Sequence, residues 1–574
     1  MTAGVSAEPR RAPPPPSGPP RVTPRSVAAR RLLGVTLAVG PLVWATHRAL
    51  SGGTEIVNTG GLSVLGGLLD ALAHPALSPE FLQVVWRATV STVVFAVLGT
   101  VGALVIGAVG GLVLSDAAWG PRPPLVLRGV RTGLRGVLVA VRSIHELIWA
   151  LLLVSVLGLD PLVAVIAIAL PFGAQTAKVV GDILDGVPRG PTRALQAGGV
   201  RPFVALSYGV LPPASPLLVS YSFYRFECSI RSAVILGVVG VGGLGSELVT
   251  SLRSRNWDEV WTLVAAVVVL CAVVEWWSSR VRGDLAVATC SDWAATDGGP
   301  SGRPRRRRST RVTLVAALVL VVASWFASGV SLAGLFSSRT RDRVPLLLDD
   351  MWPPALPPGG WPEVLGGTLD TLAMALLATA IAVAITLALG PFATRLRPVR
   401  GSEPSAPVRH LRRTARALSG LALLVLRSVP PTVWAAIVLL VLFPGVLPGA
   451  LALGLYTGGI LGRLVAEAWD GIDLRPRDAL RSAGVAPTTA ALASVVPPSS
   501  QHLVTYTLYR FEICVRDTAI VGVVGAAGLG RLLAENLAVF RYDAVTTLLA
   551  ASFAVSVAAE VAGRRVRRML LVRA

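Results

Sequence analysis

Long runs of mainly apolar residues recur along the chain, and they restrict it more than any other feature. A run of ~18 or more can cross a hydrocarbon layer of ~30 Å as a helix. Inside that layer every backbone N–H and C=O needs an internal partner, so the runs must be helical. Candidate spans lie at about 32–46, 87–114, 135–157, 160–181, 213–238 and 259–278, and again at about 312–330, 367–391, 417–442, 446–467, 500–524 and 543–562. Only 15% of the 574 residues are charged and 53% are hydrophobic, whereas a soluble domain is about a quarter charged. Disorder is excluded too, because it requires low hydrophobicity. The expected fold class is an all-α integral membrane protein with about twelve transmembrane helices.

A net charge of +21 alone would suggest a nucleic-acid partner, but the placement of the arginines gives another reading. Arg21, Arg25, Arg30 and Arg31 precede the first span. Arg122, Arg128, Arg131 and Arg135 follow the second, and Arg305 to Arg308 precede the seventh. Arg409, Arg412, Arg413 and Arg416 precede the ninth, and Arg564, Arg565, Arg567 and Arg568 follow the last. If every span crosses, all these segments share one side, which the positive-inside rule makes cytoplasmic. The expected location is the cell membrane with both termini cytoplasmic. Residues 47–86 and 331–366 then lie outside. The charge reads as topology with some contact to anionic lipid, and no nucleic acid is expected. Residues 1–31 read as a disordered Arg/Pro-rich cytoplasmic tail, and the first apolar run as an uncleaved anchor rather than a signal peptide.

Several activities are excluded by what is missing. The single lysine, Lys178, is followed by Val179, so the chain carries no P-loop. Cys228, Cys271, Cys290 and Cys514 form no CxxC pair, and the five histidines are not spaced as ligands. No metal site and no cofactor are expected. No nucleophile–base set supports an enzyme.

Shifted by 285 positions, the chain matches itself. Arg142-Ser-Ile-His-Glu-Leu-Ile-Trp149 faces Arg427-Ser-Val-Pro-Pro-Thr-Val-Trp434. Ser220-Tyr-Ser-Phe-Tyr-Arg-Phe-Glu227 faces Thr505-Tyr-Thr-Leu-Tyr-Arg-Phe-Glu512. Two tandem units of six helices are expected, 32–280 and 312–574, joined by a basic cytoplasmic linker at 281–311. An even number of spans per unit makes them parallel repeats about a pseudo-two-fold axis along the membrane normal. The interface between equivalent units is the natural place for a pathway.

Both units carry a polar interruption between their fourth and fifth spans. The first contains Arg193-Ala194-Leu195, Gly199 and then Pro212, and the second Asp478-Ala479-Leu480, Gly484 and then Pro497. Small residues allow close approach, and the glycine can end a short helix. This pattern resembles the EAA coupling loop of ABC-importer permeases. The Tyr-Arg-Phe-Glu box and Gly237-Val-Val-Gly-Val-Gly-Gly-Leu-Gly245 are similar to the phosphonate-type permeases. The resemblance covers both units. Arg193 stands where that loop usually has an acid, whereas Asp478 keeps it.

The resemblance implies the membrane subunit of an ATP-driven importer. Its solute would be a small anion, a phosphonate or a related oxyanion such as phosphite or a phosphate ester. Implied partners are cytoplasmic ATPase subunits, two in number, and an extracytoplasmic substrate-binding protein. An importer of another solute, such as an amino acid or a metal chelate, remains an alternative. An ion-gradient-driven secondary transporter is the other.

The fifth span of each unit carries charges at membrane depth, where they are costly. These are Tyr221, Tyr224, Arg225, Glu227 and Arg231, and then Tyr506, Tyr509, Arg510, Glu512 and Arg516. Glu227 and Arg231 are spaced i,i+4 for an ion pair, and Glu512 and Arg516 repeat that spacing. Three readings stand. The pairs are neutralised packing devices, or Arg225 and Arg510 face the pathway and bind an anion, or these arginines snorkel to the interface. After that span come Gly240, Gly242, Gly243 and Gly245, and then Gly525, Gly528 and Gly530. The first set fits a dinucleotide fingerprint in letters only, since no strand precedes it. A tight turn, or part of an outer gate, is expected instead.

Overall fold

The computed structural model describes residues 39–51, 56–119, 124–294, 303–394 and 405–571. The expected tail at 1–31 lies outside them, as do residues 295–302 of the expected linker. The first unit runs α1 (39–50), α2 (Thr59–Asp70), α3 (Pro79–Leu114), α4 (Asp116–Trp119), α5 (Leu125–Ser143), α6 (Glu146–Leu157) and α7 (Pro161–Gly186). It continues with α8 (Gly190–Ala197), α9 (Pro202–Gly209), α10 (Leu211–Leu236), α11 (Leu244–Ser254) and α12 (Trp257–Ala294). The second unit opens with α13 (Arg303–Ala327), α14 (Ser338–Asp350), α15 (Gly360–Ala393), α16 (Ala406–Ser428), α17 (Pro431–Val441) and α18 (Val446–Asp470). It closes with α19 (Arg475–Ser482), α20 (Pro487–Ser494), α21 (Val496–Val523), α22 (Leu529–Ala538) and α23 (Tyr542–Leu571). From α6 and α17 onward, each helix starts 285 residues before its counterpart. The self-match in sequence is thus a repeat in structure.

Among the described residues six helices are long and apolar enough to cross a membrane, or nine if each bent pair counts once. Length and composition therefore do not reach the expected twelve. Two expected straight spans are broken: α5 and α6 meet at 93°, and α16 and α17 at 90°. In the first break His145 caps α6, its Nδ1 accepting the Leu147 N–H at 3.1 Å. In the second, Pro430 pushes Val429 into extended backbone, which ends α16. The expected span at 500–524 is one continuous helix, α21, but it is too charged to qualify. The apolar part of α13 is the short stretch Val312–Ala327.

Within each unit, glycines set the closest helix approach. Gly99, Gly107 and Gly111 on α3 leave room for Ile168, Thr176 and Val180 on α7. The second unit inverts the arrangement, with Gly449, Gly454 and Gly458 on α18 receiving Met374, Ile381 and Ile385 of α15. Small residues serve this purpose in lipid, where packing rather than water exclusion drives association. The outer faces carry exposed apolar rows at helical spacing, including Val105 and Val109, Val269 and Val273, and Val315 and Val319. Such stripes fit acyl chains and would be a liability in water.

The two units exchange elements. Ala45 of α1 is buried with Ala373 in the second unit's core, and Arg48 pairs with Asp370 at 2.8 Å. In return α13 packs on α3. The short helix α2 lies on α17, and Asn58 N–H donates to the Val441 carbonyl at 2.7 Å. In return α14 packs on α6.

Candidate functional site

A cavity of about 200 Å³ lies between the units. Its walls are α5 to α7 and α10 from the first unit, with α18 and α21 from the second. Of the predicted pathway residues, Tyr221, Tyr224, Arg225, Arg231, Tyr509, Arg510 and Arg516 line it. Glu227, Tyr506 and Glu512 do not; Tyr506 packs beside Leu461 and Val465 and stacks with His502.

Arg225 and Arg510 occupy equivalent places, 4% and 6% exposed. The Arg225 guanidinium donates to the Tyr221 hydroxyl at 2.6 Å and lies 4.6 Å from the Phe172 ring centroid. Arg510 has Thr457 where Arg225 has Phe172, and donates to its hydroxyl at 3.3 Å. The Nε of each arginine is buried without a hydrogen-bond partner. Among the described residues Arg225 has no carboxylate in ion-pair range, and Arg510 has only Asp517, at 4.0 Å. Desolvated guanidinium donors left open are costly unless a ligand completes them.

The expected pair of i,i+4 bridges forms once. Arg231 pairs with Glu227. Glu512 turns instead to Arg567 on α23 at 2.8 Å, and Arg516 donates to the Arg142 carbonyl at 2.9 Å. The α5–α6 bend leaves the last carbonyls of α5 without helical partners, and the Arg516 guanidinium satisfies one of them.

Sequence reasoning missed an acidic group that also lines the cavity, with Asp517 on the same helix as Arg510. His145 Nε2 lies 3.2 Å from the Glu146 carboxylate and 3.7 Å from that of Asp517. Glu146 also accepts from the Ser232 hydroxyl at 2.6 Å. All four line the cavity. The available signal was an acid, Asp517, inside a membrane run where the repeat has Ser232.

The missed residues with the broadest role form a reciprocal set. Arg142 pairs with Glu560 at 2.9 Å, and Arg427 pairs with Glu275. Each pair joins one unit's broken helix to the other unit's last long helix, and the two pairs differ by 285 in both numbers. The signal was a carboxylate at the same place in both final apolar runs.

The predicted coupling loops fold as helical hairpins, α8–α9 and α19–α20. Gly199 (φ +80°) and Gly484 (φ +86°) sit in left-handed backbone. The Val200 N–H reaches the Leu195 carbonyl and the Val485 N–H the Leu480 carbonyl, both at 3.1 Å. That is the Schellman ending, which favours glycine. Pro212 and Pro497 fall in the first turns of α10 and α21, where no N–H is needed. Arg193, Ala194 and Ala479 are exposed, Leu195 and Leu480 half-buried. Asp478 is tied to Arg477 at 2.7 Å. Just before α19, hydrogen bonds from Arg475 hold the Asp473 carboxyl below its usual range.

The glycine segments are turns between helices, not nucleotide loops. Gly240, Gly242, Gly243, Gly525 and Gly528 have positive φ. The Leu244 N–H donates to Thr92 Oγ1 at 2.9 Å, and the Leu529 N–H donates to Thr371 Oγ1 at 3.0 Å. A β-carbon at Gly245 would overlap the Val234 carbonyl, and one at Gly530 would press on Ala519.

Comparison with known proteins bears on the repeat. The model of the family described as binding-protein-dependent transport system inner membrane component matches residues 127–283 and again residues 404–569. A phosphate-import permease protein of Mycolicibacterium smegmatis is 30% identical over 427 residues, 74% of this chain and 75% of that protein. A phosphite transport system permease protein of Stutzerimonas stutzeri is 31% identical over 243 residues, 42% of this chain and 82% of that one. The chain therefore belongs to the family of binding-protein-dependent transport system inner membrane components, the membrane-spanning permeases of ABC importers.

Proposed function

We propose that this one chain forms both halves of an import pathway for a phosphonate or a related small oxyanion, such as phosphite or a phosphate ester. Family membership implies an ATPase motor and a substrate-binding protein as partners. In this reading two ATPase subunits dock on the α8–α9 and α19–α20 hairpins from the cytoplasm. The binding protein delivers solute from the opposite side of the cell membrane, and both termini are cytoplasmic. Rocking of the units about their interface then alternates access.

The observation that carries the reading is the pair of buried guanidiniums in the interface cavity, Arg225 and Arg510, each with an unpartnered Nε. An oxyanion offers them several acceptor oxygens, in charge-assisted bonds about twice as strong as neutral ones. The cavity is smaller than the ~300 Å³ at which sites for drug-sized ligands begin. The relatives named for phosphate and phosphite support the same solute class. The exposed aromatics Phe203 and Tyr208 on α9, 72% and 74% exposed, support docking there. In the second hairpin Leu492 holds a comparable exposed place.

Uptake by the reconstituted complex tests this. Arg225→Gln and Arg510→Gln should each lower phosphite and phosphonate uptake about tenfold or more, the weight of a charged hydrogen bond. Lysine at either position should restore it only in part. Normal uptake with unchanged solute preference in both glutamine variants would contradict the reading.

A further inference from the structure

We propose that the cavity selects anions that carry a proton on one oxygen, and that the Asp517 carboxylate is the acceptor that reads that proton. This rests on the anion pathway proposed above and adds to it a rule for discrimination.

Asp517 is buried to 9% exposure and lines the cavity. Among the described residues no hydrogen bond reaches its carboxylate; the His145 ring lies at 3.7 Å and the Arg510 guanidinium at 4.0 Å. Arg516 on its own helix, Glu146 on α6 and Tyr456 on α18 complete the charged and titratable groups around it. Glu146 differs in kind, because the Ser232 hydroxyl and the His145 ring already occupy it. The repeat breaks here. Ser232 stands where the second unit has Asp517, and Pro431 stands where the first has Glu146. One carboxylate without a hydrogen bond among the described residues therefore stands in the cavity, 4.0 Å from the Arg510 guanidinium.

A carboxylate beside an anion site repels the anion unless the two share a proton. An anion held by Arg510 would lie close to Asp517. If it bears a P–OH, that hydroxyl donates to the carboxylate, and repulsion becomes a short charge-assisted bond. Phosphate, phosphite and phosphonates all carry such a proton in their monoanions. Sulfate matches phosphate in shape and size but is fully ionised at neutral pH. It would leave two desolvated acceptors facing each other. Sites built around a substrate hydroxyl reject analogues that lack it, because the protein group is left unpaired.

The test uses the purified full chain in lipid nanodiscs and measures saturable binding of radiolabelled inorganic phosphate. Competition is then measured with phosphite, methylphosphonate and sulfate. Phosphite and methylphosphonate should displace the label, and sulfate should be weaker by about tenfold or more. In Asp517→Asn the amide can donate a hydrogen bond, so sulfate should approach phosphite to within about threefold. Asp517→Glu keeps the acceptor and should keep the discrimination. Equal competition by sulfate in the native chain would overturn the proposal while leaving the anion site standing. Unchanged discrimination in Asp517→Asn would overturn the role of that residue. Absence of phosphate binding that Arg510→Gln abolishes would instead contradict the anion pathway itself. If the asparagine chain does not fold, the sulfate comparison on the native chain still decides.

Discussion

Two pairs of residues, Arg142 with Glu560 and Arg427 with Glu275, hold the units to each other. They are largely buried, with side chains between 9% and 22% exposed. Removing one partner from a buried pair costs about 3–5 kcal/mol, and partial exposure reduces that to roughly 1–3. Glu275→Gln and Glu560→Gln should each lower the thermal midpoint of the purified chain. As the pairs are separate, the double variant should lose about the sum of the two. A midpoint unchanged in both single variants would contradict the bridging role. The glycines at the hairpin ends act differently. A β-carbon at Gly199 or Gly484 meets nothing within 4 Å, so alanine there is strained only by left-handed backbone, at about 1–2 kcal/mol. Gly199→Ala and Gly484→Ala should therefore leave global stability nearly intact while weakening substrate-stimulated ATPase activity. Equal activity in both variants would remove the hairpins from the coupling route. Arginine, glycine and tyrosine positions were legible from the repeat. Asp517 was visible only as a departure from the repeat, whose first copy holds Ser232, and its place in the cavity is set by the fold.

At the scale of elements, the helices were legible from hydrophobic period, and the bends only in part. Pro430 announces the α16–α17 break by its chemistry. The α5–α6 break has no proline, and the cap from His145 is visible only once the turn exists. The hairpin of α10 and α11 was legible as a glycine cluster, though its tie to Thr92 on a distant helix was not. Its glycines are not equivalent. Gly245→Ala drives a methyl into the Val234 carbonyl and should cost about 3 kcal/mol or more. Gly242→Ala faces open space and pays only for its backbone, about 1–2 kcal/mol. Thermal unfolding of the two variants side by side checks this, and equal losses would contradict the close approach of α10 and α11.

At the scale of the whole molecule, the chain is closed on itself. The first helix of each unit packs on the other, α2 lies on α17 and α14 on α6, and the Arg–Glu pairs cross in both directions. Such reciprocity is what a two-fold dimer shows between separate subunits, here supplied within one polypeptide. The repeat implied two units but not their exchange, since nothing in hydrophobic period says which unit a helix covers. With both halves in one chain, no second copy is needed to complete the pathway. The most direct test is the native mass of the detergent-extracted complex assembled with its ATPase. One copy of this chain per complex, with two ATPase subunits and full substrate-stimulated turnover, is the predicted result. Two copies of the chain in the active complex, with single-copy assemblies inactive, would contradict it.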